Sequence, residues 1–262
     1  MREIWDLIVY NFVGCLIVFA RVAGIFTFNP IFGRAVVPMR VRVSMSFVLT
    51  VVMLMSMGGS VGYIPGGVPE FAFVILKETA IGLIFGFVVN LILTVIIYAG
   101  EIIDYQVGIM MAKAMDPMTG VTMPVFANLY YYMFILYFFL TGGHLTYIKL
   151  FAMSYETVPV GFDFSISTIN LAYVIAMFLG TVITLAVKMA MPIIAVELVM
   201  ELCVGVMMKA VPTIHVFVVN IQLKVLMGLF MILAVAGPMA DFIDKLLGIM
   251  WENLFRALNV LP

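Results

Sequence analysis

The sequence has very few charged side chains for its length. Lysine, arginine, aspartate and glutamate make up 10% of the 262 residues, whereas soluble domains carry about 25%. Since 65% of the residues are hydrophobic, a soluble fold of this size would lack the polar groups needed to cover its surface. The formal net charge is only −1, which gives no reason to expect a nucleic-acid partner. The composition therefore predicts an integral membrane protein.

Cysteine and histidine are nearly absent, which argues against several kinds of site. Cys15 and Cys203 each lie in apolar sequence without CxxC spacing, so we interpret both as buried thiols rather than as a disulfide. His144 and His215 lie far apart and show no zinc-ligand spacing. The chain also has no GxSxG, P-loop or GxGxxG pattern. We therefore expect no enzyme, no metal site and no cofactor.

Long apolar segments organise the chain. They run at 7–28 (interrupted only by Arg21), 43–69, 79–100, 117–148 and 164–187, followed by a mixed segment at 189–240. Because a spanning helix needs about 20 apolar residues, we predict an all-α membrane protein of about six long, kinked helices arranged as hairpins. No linker is long enough to divide the chain, so we expect a single domain over residues 1–262.

Glycine and proline clusters mark the boundaries between these segments. They occur at Asn29-Pro30, Gly58-Gly59, 65–69, 141–143 and 159–161. Within the later segments we predict kinks at Pro192, Pro212 and Pro238, because proline cannot donate a backbone hydrogen bond.

Charged residues inside apolar sequence form a separate group. Each would cost about 2.5–3.5 kcal/mol at a bilayer centre, so these side chains must pair, meet water or be buried against other subunits. The buried-charge and assembly candidates are Arg21, Lys188, Glu197, Glu201, Lys209 and Lys224. Glu197 and Glu201 are one helical turn apart and share a face. They are either a proton or ion relay, or a pair of acids docked on basic groups of a neighbouring subunit.

The run GEIIDYQVGIMMAKAMDPMTG, residues 100–120, lies between two long apolar segments. It brings together charges, methionines, glycines and an Asp-Pro step in a chain that otherwise avoids polar residues. Non-helical backbone at membrane depth is tolerated only where protein buries it or water lines it. This run therefore indicates a conduit or gate rather than a soluble catalyst.

Several motifs carry a family resemblance. They are RVAGIFTFNPIF (Arg21–Phe32), VPMRVR (Val37–Arg42), GEIIDYQVG (Gly100–Gly108), Asp116-Pro117, Met123-Pro124, FFLTGGH (Phe138–His144), the run from Met191 to Pro212, and FVVNIQLKVLMGL (Phe217–Leu229). In this order and over nearly the whole length, the chain resembles the FliR family of flagellar biosynthetic export-gate proteins, whose relatives serve in injectisome type III secretion.

The resemblance implies a non-enzymatic subunit of the flagellar type III export gate. In that family one copy joins several copies of FliP and FliQ in the bacterial inner membrane at the flagellar basal body, and it is built like a fusion of these two partners. We expect FliP-like and FliQ-like partners and also FlhB-like and FlhA-like export components. The pore would pass unfolded flagellar subunits.

The resemblance also implies a pore plug after the glycine that ends GEIIDYQVG. Here it corresponds to Met110, Met111, Ala112, Lys113, Ala114 and Met115. Methionine is flexible and polarisable, so such a segment can fill an irregular gap and yield to a passing chain. The chain has 23 methionines, which leaves open that this cluster is only compositional.

Other features keep alternatives open. An arginine-bearing loop without acids holds Arg34, Arg40 and Arg42, which places that loop in the cytoplasm. Pro38, Arg40 and Arg42 either bind lipid headgroups, receive export substrate or anchor topology. The helix over 241–262 either lies in the membrane interface or docks on a partner. The alternative function is an ion-coupled secondary transporter with broken helices, although no inverted repeat is found.

Overall fold

The computed structural model describes residues 2–31, 37–58, 61, 63, 65–109, 124–161, 167–210 and 216–260. This part of the chain forms helices and no strand, which confirms the prediction of an all-α protein. The helices are α1 (Arg2–Phe28), α2 (Met39–Ser56), α3 (Val68–Val107), α4 (Val125–Leu140), α5 (Gly143–Thr157), α6 (Ser167–Ala210), α7 (Val216–Ala234) and α8 (Ala236–Val260).

Three of these helices are long and apolar enough to cross a membrane. They are α2, α3 and the Phe178–Ala210 part of α6. Two further spans are possible if each bent pair counts as one, since α4 and α5 meet at 69° and α7 and α8 at 65°. Counting each bent pair as one long helix also reduces the eight described helices to six, as the sequence predicted.

The bends lie close to the predicted breakers. Gly142, between α4 and α5, adopts φ +71°, a left-handed conformation that glycine reaches without a Cβ penalty. The α7–α8 break is at Val235, and Pro238 lies just beyond it in the first turn of α8. Helix α6 continues through Pro192. The predicted kink at Pro212 lies outside the described residues.

Helix α3 begins at Val68, within the glycine and proline cluster at 65–69 that was predicted as a boundary. It extends beyond the charge-free segment at 79–100, because Glu70 and Lys77 interrupt that segment but are compatible with a helix. The Glu70 carboxylate accepts hydrogen bonds from Tyr63 Oη at 2.5 Å and Gly66 N at 2.6 Å. An acid in the first turn also interacts favourably with the helix dipole. Pro69 lies in that turn, where its missing N–H costs little.

The chain divides into two compact units. The first unit comprises Met1–Leu91, Thr141–Ala176 and Ile249–Pro262, and the second comprises Ile92–Leu140 and Met177–Gly248. The single-domain assignment stays a prediction. Each unit has its own buried apolar side chains, for example Ile17, Phe85 and Phe151 in the first unit and Ile103, Phe134 and Ile193 in the second.

Glycines allow close helix packing inside the first unit. A Cβ added at Gly24 of α1 would lie 2.6 Å from the Thr79 carbonyl oxygen of α3, and one added at Gly82 would overlap the Arg21 carbonyl oxygen. At Gly86 it would lie 2.8 Å from the Ile25 carbonyl oxygen. Small residues at helix contacts let backbones approach closely, as in membrane proteins generally. This contact positions Arg21 against α3.

Candidate functional site

Arg21 is the centre of a polar cluster in the first unit. Its side chain is fully buried on α1, and its Nε donates to Glu78 Oε2 of α3 at 2.5 Å. Its Nη2 donates to the other Glu78 oxygen at 3.1 Å. This fork-to-carboxylate geometry gives the strongest type of charged hydrogen bond. Since Glu78 is also buried, the two charges compensate each other within the chain.

The remaining Arg21 donors bind the carboxyl-terminal end of α5. Nη1 donates to the Ser154 carbonyl oxygen at 3.0 Å and to Ser154 Oγ at 3.3 Å, and Nη2 donates to the Val158 carbonyl oxygen at 3.0 Å. The guanidinium carbon lies 4.1 Å from the centre of the Tyr155 ring. A cation at a helix carboxyl end is favourable. Arg21 therefore joins α1, α3 and α5, and its charge is satisfied without a second subunit.

A second charge cluster lies in the second unit, where Lys224 of α7 forms an ion pair with Glu201 of α6. Lys224 Nζ also donates to the Gln106 carbonyl oxygen, at 3.3 Å, near the end of α3. The close packing of Gly228 on Val107 brings α7 to that end, since a Cβ at Gly228 would lie 2.6 Å from the Val107 side chain. Lys224 thus links α7 and α6 to the last turn of α3.

Glu197 lies one turn before Glu201 on α6, but its environment differs. The Glu197 side chain is buried, and neither carboxylate oxygen has a hydrogen-bond partner among the described residues. The Glu201 side chain is 41% exposed. The two acids predicted to act as a pair are therefore distinct groups, one paired with Lys224 and one buried beside that pair.

Lys188 and Lys209, the remaining charge candidates, are exposed on α6. Both lie within the Phe178–Ala210 segment that is apolar and long enough to span a membrane. Among the described residues no salt bridge is found for either lysine. Their charges therefore have to be accommodated by water or by another molecule.

The segment predicted to form a plug follows the end of α3 in the chain. Met110, Met111, Ala112, Lys113, Ala114 and Met115 lie outside the described residues, as does the Asp116-Pro117 step. Before it, α3 ends at Val107, and Gly108 adopts φ +83°.

The helices on either side of that segment are held together by a buried carboxylate. Asp104 of α3 accepts a hydrogen bond from the backbone N–H of Phe126, with its oxygens at 3.2 and 3.3 Å. Phe126 lies in the first turn of α4, where N–H groups have no partner within the helix. Gly100 packs so closely on Ala127 that a Cβ there would overlap the Ala127 backbone. Asp104 therefore fixes the amino-terminal end of α4 next to α3.

Sequence reasoning did not identify Glu78 or Asp104 as the partners in these clusters. A buried arginine requires an acid, and Glu78 is one of few acids in the first half of the chain, which is a usable signal. For Asp104 no local signal exists, because its partner is a backbone group of another helix. The interpretation of both cysteines as buried was wrong for Cys203, which is exposed on α6, and Cys15 is only half-buried.

The last helix, α8, is amphipathic. Leu246 and Leu254 are buried and Trp251 is half-buried, whereas Glu252 and Arg256 form an exposed ion pair at 2.5 Å. Within the described ranges no group of three or more histidine, cysteine, aspartate or glutamate side chains is placed to hold a metal ion.

Comparison with known proteins identifies relatives over nearly the whole chain. The family described as "Bacterial export proteins, family 1" matches residues 12–250. The flagellar biosynthetic protein FliR of Bacillus subtilis is 27% identical over 236 residues, covering 89% of this chain and 88% of that protein. FliR of Escherichia coli is 28% identical over 247 residues, covering 92% and 91%. The surface presentation of antigens protein SpaR of Shigella flexneri is 26% identical over 215 residues, covering 82% of each chain.

Proposed function

The chain belongs to the FliR family of bacterial export proteins, and we propose that it is a non-enzymatic subunit of a flagellar type III protein export gate. The single observation that carries the proposal is the match to this family over residues 12–250. The relatives include both a flagellar protein and a surface-presentation protein. Because FliR of Bacillus subtilis and FliR of Escherichia coli cover 89% and 92% of the chain, against 82% for SpaR, we assign the flagellar system.

The partners in this proposal are FliP-like and FliQ-like membrane proteins, together with FlhB-like and FlhA-like export components. Support comes from the surface that the chain leaves uncovered. Large apolar side chains are exposed along α2 and α6, including Phe47, Met55, Leu198 and Leu202. Exposed Lys188 and Lys209 on the same α6 segment are unfavourable in lipid. A surface that mixes apolar side chains and lysines in this way is suited to protein neighbours.

We place the protein in the bacterial inner membrane as a multi-pass subunit at the flagellar basal body. Three described helices are long and apolar enough to span, or up to five if each bent pair is one span. The start of α2, with Arg40 and Arg42, would then face the cytoplasm, as would the segment that precedes it.

In this assignment Met110–Met115 plugs the closed pore. The segment follows Gly108, and the helices on either side of it, α3 and α4, are joined through Asp104 and Phe126. Flexible methionine side chains would seal the pore without blocking it permanently.

The proposed function is tested by deleting the gene in the host and assaying the culture medium for rod, hook and filament subunits. We expect these proteins to accumulate inside the cell and to reappear outside when the full-length chain is supplied from a plasmid. A matched plasmid carrying the frame-shifted gene controls for expression stress. Unchanged flagellar secretion in the deletion strain would contradict the proposal. Loss of only a host-directed effector set would assign the chain to an injectisome instead.

A further inference from the structure

A groove in the first unit is enclosed by α1, α2 and α5. Its volume is about 490 Å³, within the range of about 300–1,000 Å³ that is typical of ligand sites. The apolar part of its lining includes Ile25 and Phe26 from α1, Val48 and Val52 from α2, and Ile148 and Phe151 from α5. The groove is distinct from the Arg21 cluster and from the charge cluster at Lys224.

The exposed polar side chains of the groove lining come from the amino-terminal part of α2. They are Arg40 and Ser44, whereas Tyr147 of α5 contributes its ring, because its hydroxyl is buried. Arg40 lies in the first turn of α2, whereas Val52 lies near its other end. At 1.5 Å rise per residue these positions are about 18 Å apart along the helix. The groove is therefore an apolar trough with a single cation near one end.

The length and position of this trough match one leaflet of a bilayer. The hydrocarbon core is about 30 Å thick, so one leaflet contributes about 15 Å. Helix α2 is itself long and apolar enough to span, and Arg40, at its first turn, is exposed. In a membrane this places Arg40 at headgroup level and Val52 toward the bilayer midplane.

The charge of the surrounding sequence selects an anion. No aspartate or glutamate occurs between Asp6 and Glu70, whereas Arg34, Arg40 and Arg42 all lie in that interval. Basic pockets between membrane helices on the cytoplasmic side bind anionic lipid headgroups. An anionic phospholipid carries apolar acyl chains joined to an anionic headgroup, which matches an apolar trough with a cation near one end.

We infer that the groove binds an acyl chain of an anionic phospholipid, with Arg40 at the headgroup phosphate. The inference stands on the first unit alone and does not depend on the proposed export function. The site would hold lipid against α1, α2 and α5 while leaving the Arg21 cluster untouched.

The test uses the full-length chain, purified with its natural partners in mild detergent, delipidated, and titrated with phosphatidylglycerol or phosphatidylcholine. Bound lipid is counted by native mass spectrometry. The wild type is expected to prefer phosphatidylglycerol, and Arg40→Gln is expected to weaken that lipid about fivefold, the effect of one arginine near a membrane surface. Arg42→Gln is the matched control for a lost charge near the groove, because the groove lining includes Arg40 but not Arg42 and Arg42 Nε donates to the Val37 carbonyl oxygen at 3.2 Å. It should weaken phosphatidylglycerol binding less than Arg40→Gln and keep the preference.

A second variant keeps the inference testable if Arg40→Gln fails to accumulate. Val48→Trp fills the trough while retaining Arg40, and it should reduce both bound lipids. Three results would overturn the inference. The first is equal phosphatidylglycerol binding by the wild type and Arg40→Gln, and the second is an unchanged number of bound lipids in Val48→Trp. The third is efficient crosslinking of a Ser44→Cys variant to a partner protein, which would show that a polypeptide occupies the groove. Secretion is not the readout, so failure here leaves the export assignment intact.

Discussion

A guanidinium buried among three helices needs partners for all its donors, and Arg21 has them. Glu78 supplies the compensating charge, and the Ser154 and Val158 carbonyl oxygens accept the remaining N–H groups. Such a pair contributes little net stability compared with an apolar replacement, but loss of one partner leaves an uncompensated charge. The cluster therefore acts mainly to specify how α1, α3 and α5 pack.

The first prediction concerns this pair. Arg21→Ala leaves Glu78 buried without its counter-charge and is expected to destabilise the fold by about 3–5 kcal/mol. The double variant Arg21→Met with Glu78→Leu should recover most of that loss. The stabilities of the wild type, Arg21→Ala and the double variant are compared by measuring protease resistance in detergent at increasing urea concentrations.

Arg256→Ala is the control for that experiment, because Arg256 pairs with Glu252 in an exposed i,i+4 arrangement. Such pairs contribute about 0.3–0.5 kcal/mol. If Arg21→Ala were no more disruptive than Arg256→Ala, the structural role assigned to Arg21 would be wrong.

The second prediction addresses Glu197 and Glu201. Replacing both with glutamine removes the buried charge of Glu197 and the partner of Lys224. We expect less assembled complex, because the Glu201 side chain is 41% exposed beside Lys224 and is accessible to a basic group of a neighbour. The amount of co-purified partner protein measures assembly. Normal assembly with abolished secretion would instead support a proton or ion relay.

Sequence reasoning at this scale identified the charges but not their partners. Arg21 and Glu197 are recognisable because an isolated charge in apolar sequence is costly. Their environments depend on contacts between residues far apart in the chain, such as Arg21 with Ser154. No local pattern contains that information. Lys188 and Lys209 were also recognisable, and the described chain leaves both exposed.

At the scale of helices, glycine sets how closely α1 and α3 approach. The carbonyl oxygens of Arg21 and Ile25 face Gly82 and Gly86 directly. This arrangement leaves no room for a methyl group unless the helices separate. Separation would also displace Arg21 from Glu78, so the apolar contact and the ion pair depend on each other.

The third prediction follows from that contact. Gly82→Ala is expected to lower stability by about 1–3 kcal/mol, the usual cost of overpacking. Gly180→Ala is the matched control, because a Cβ at Gly180 meets nothing within 4 Å and alanine has the higher helix propensity. Both are compared by thermal unfolding in the same detergent. Equal unfolding midpoints for the two variants would contradict the close approach of α1 and α3.

The fourth prediction concerns the bend between α4 and α5. Gly142 has φ +71° and nothing within 4 Å of an added Cβ, so only backbone strain opposes a side chain there. Gly142→Val should cost about 1–2 kcal/mol, whereas Gly142→Asn should cost less, because asparagine tolerates the left-handed region. Thermal unfolding of the two variants gives the order. Equal destabilisation would show that the bend does not require this conformation.

Helix positions were predicted well where breakers are strong, and less well where charges interrupt apolar runs. Residues 141–143 marked the α4–α5 bend correctly because glycine reaches the left-handed region. The cluster at 65–69 marked the start of α3 at Val68, but the charge-free segment at 79–100 begins later and leaves out Glu70, which is stabilised by Tyr63 and Gly66. A capping interaction of that kind makes a charge favourable at the helix start, which a hydropathy criterion treats as an interruption.

At the scale of the whole molecule, the chain leaves much apolar surface uncovered. Exposed large side chains include Met39 and Met55 on α2 and Leu202 and Val206 on α6. Soluble monomers rarely expose contiguous apolar surface on this scale. Lipid can cover some of it, but the exposed lysines of α6 require other surroundings, which the proposed multi-subunit gate would supply.

The fifth prediction concerns the proposed plug. Deleting Met110–Met115 should raise ion conductance across the inner membrane and increase sensitivity to salt, because the closed pore would lose its seal. A variant in which six other residues, two of them methionine, replace this segment controls for the change in chain length. Conductance that stays at the wild-type level in the deletion would remove the plug from the proposed function.

The central claim is that this chain is one subunit of a multi-protein export gate. The most direct measurement is the intact mass of the complex that a tagged chain brings out of its native host in mild detergent, with each subunit identified. We predict a large assembly that holds one copy of this chain and several copies of two small membrane proteins. A monomer or a small homo-oligomer that binds a solute would contradict the claim and would favour an ion-coupled transporter.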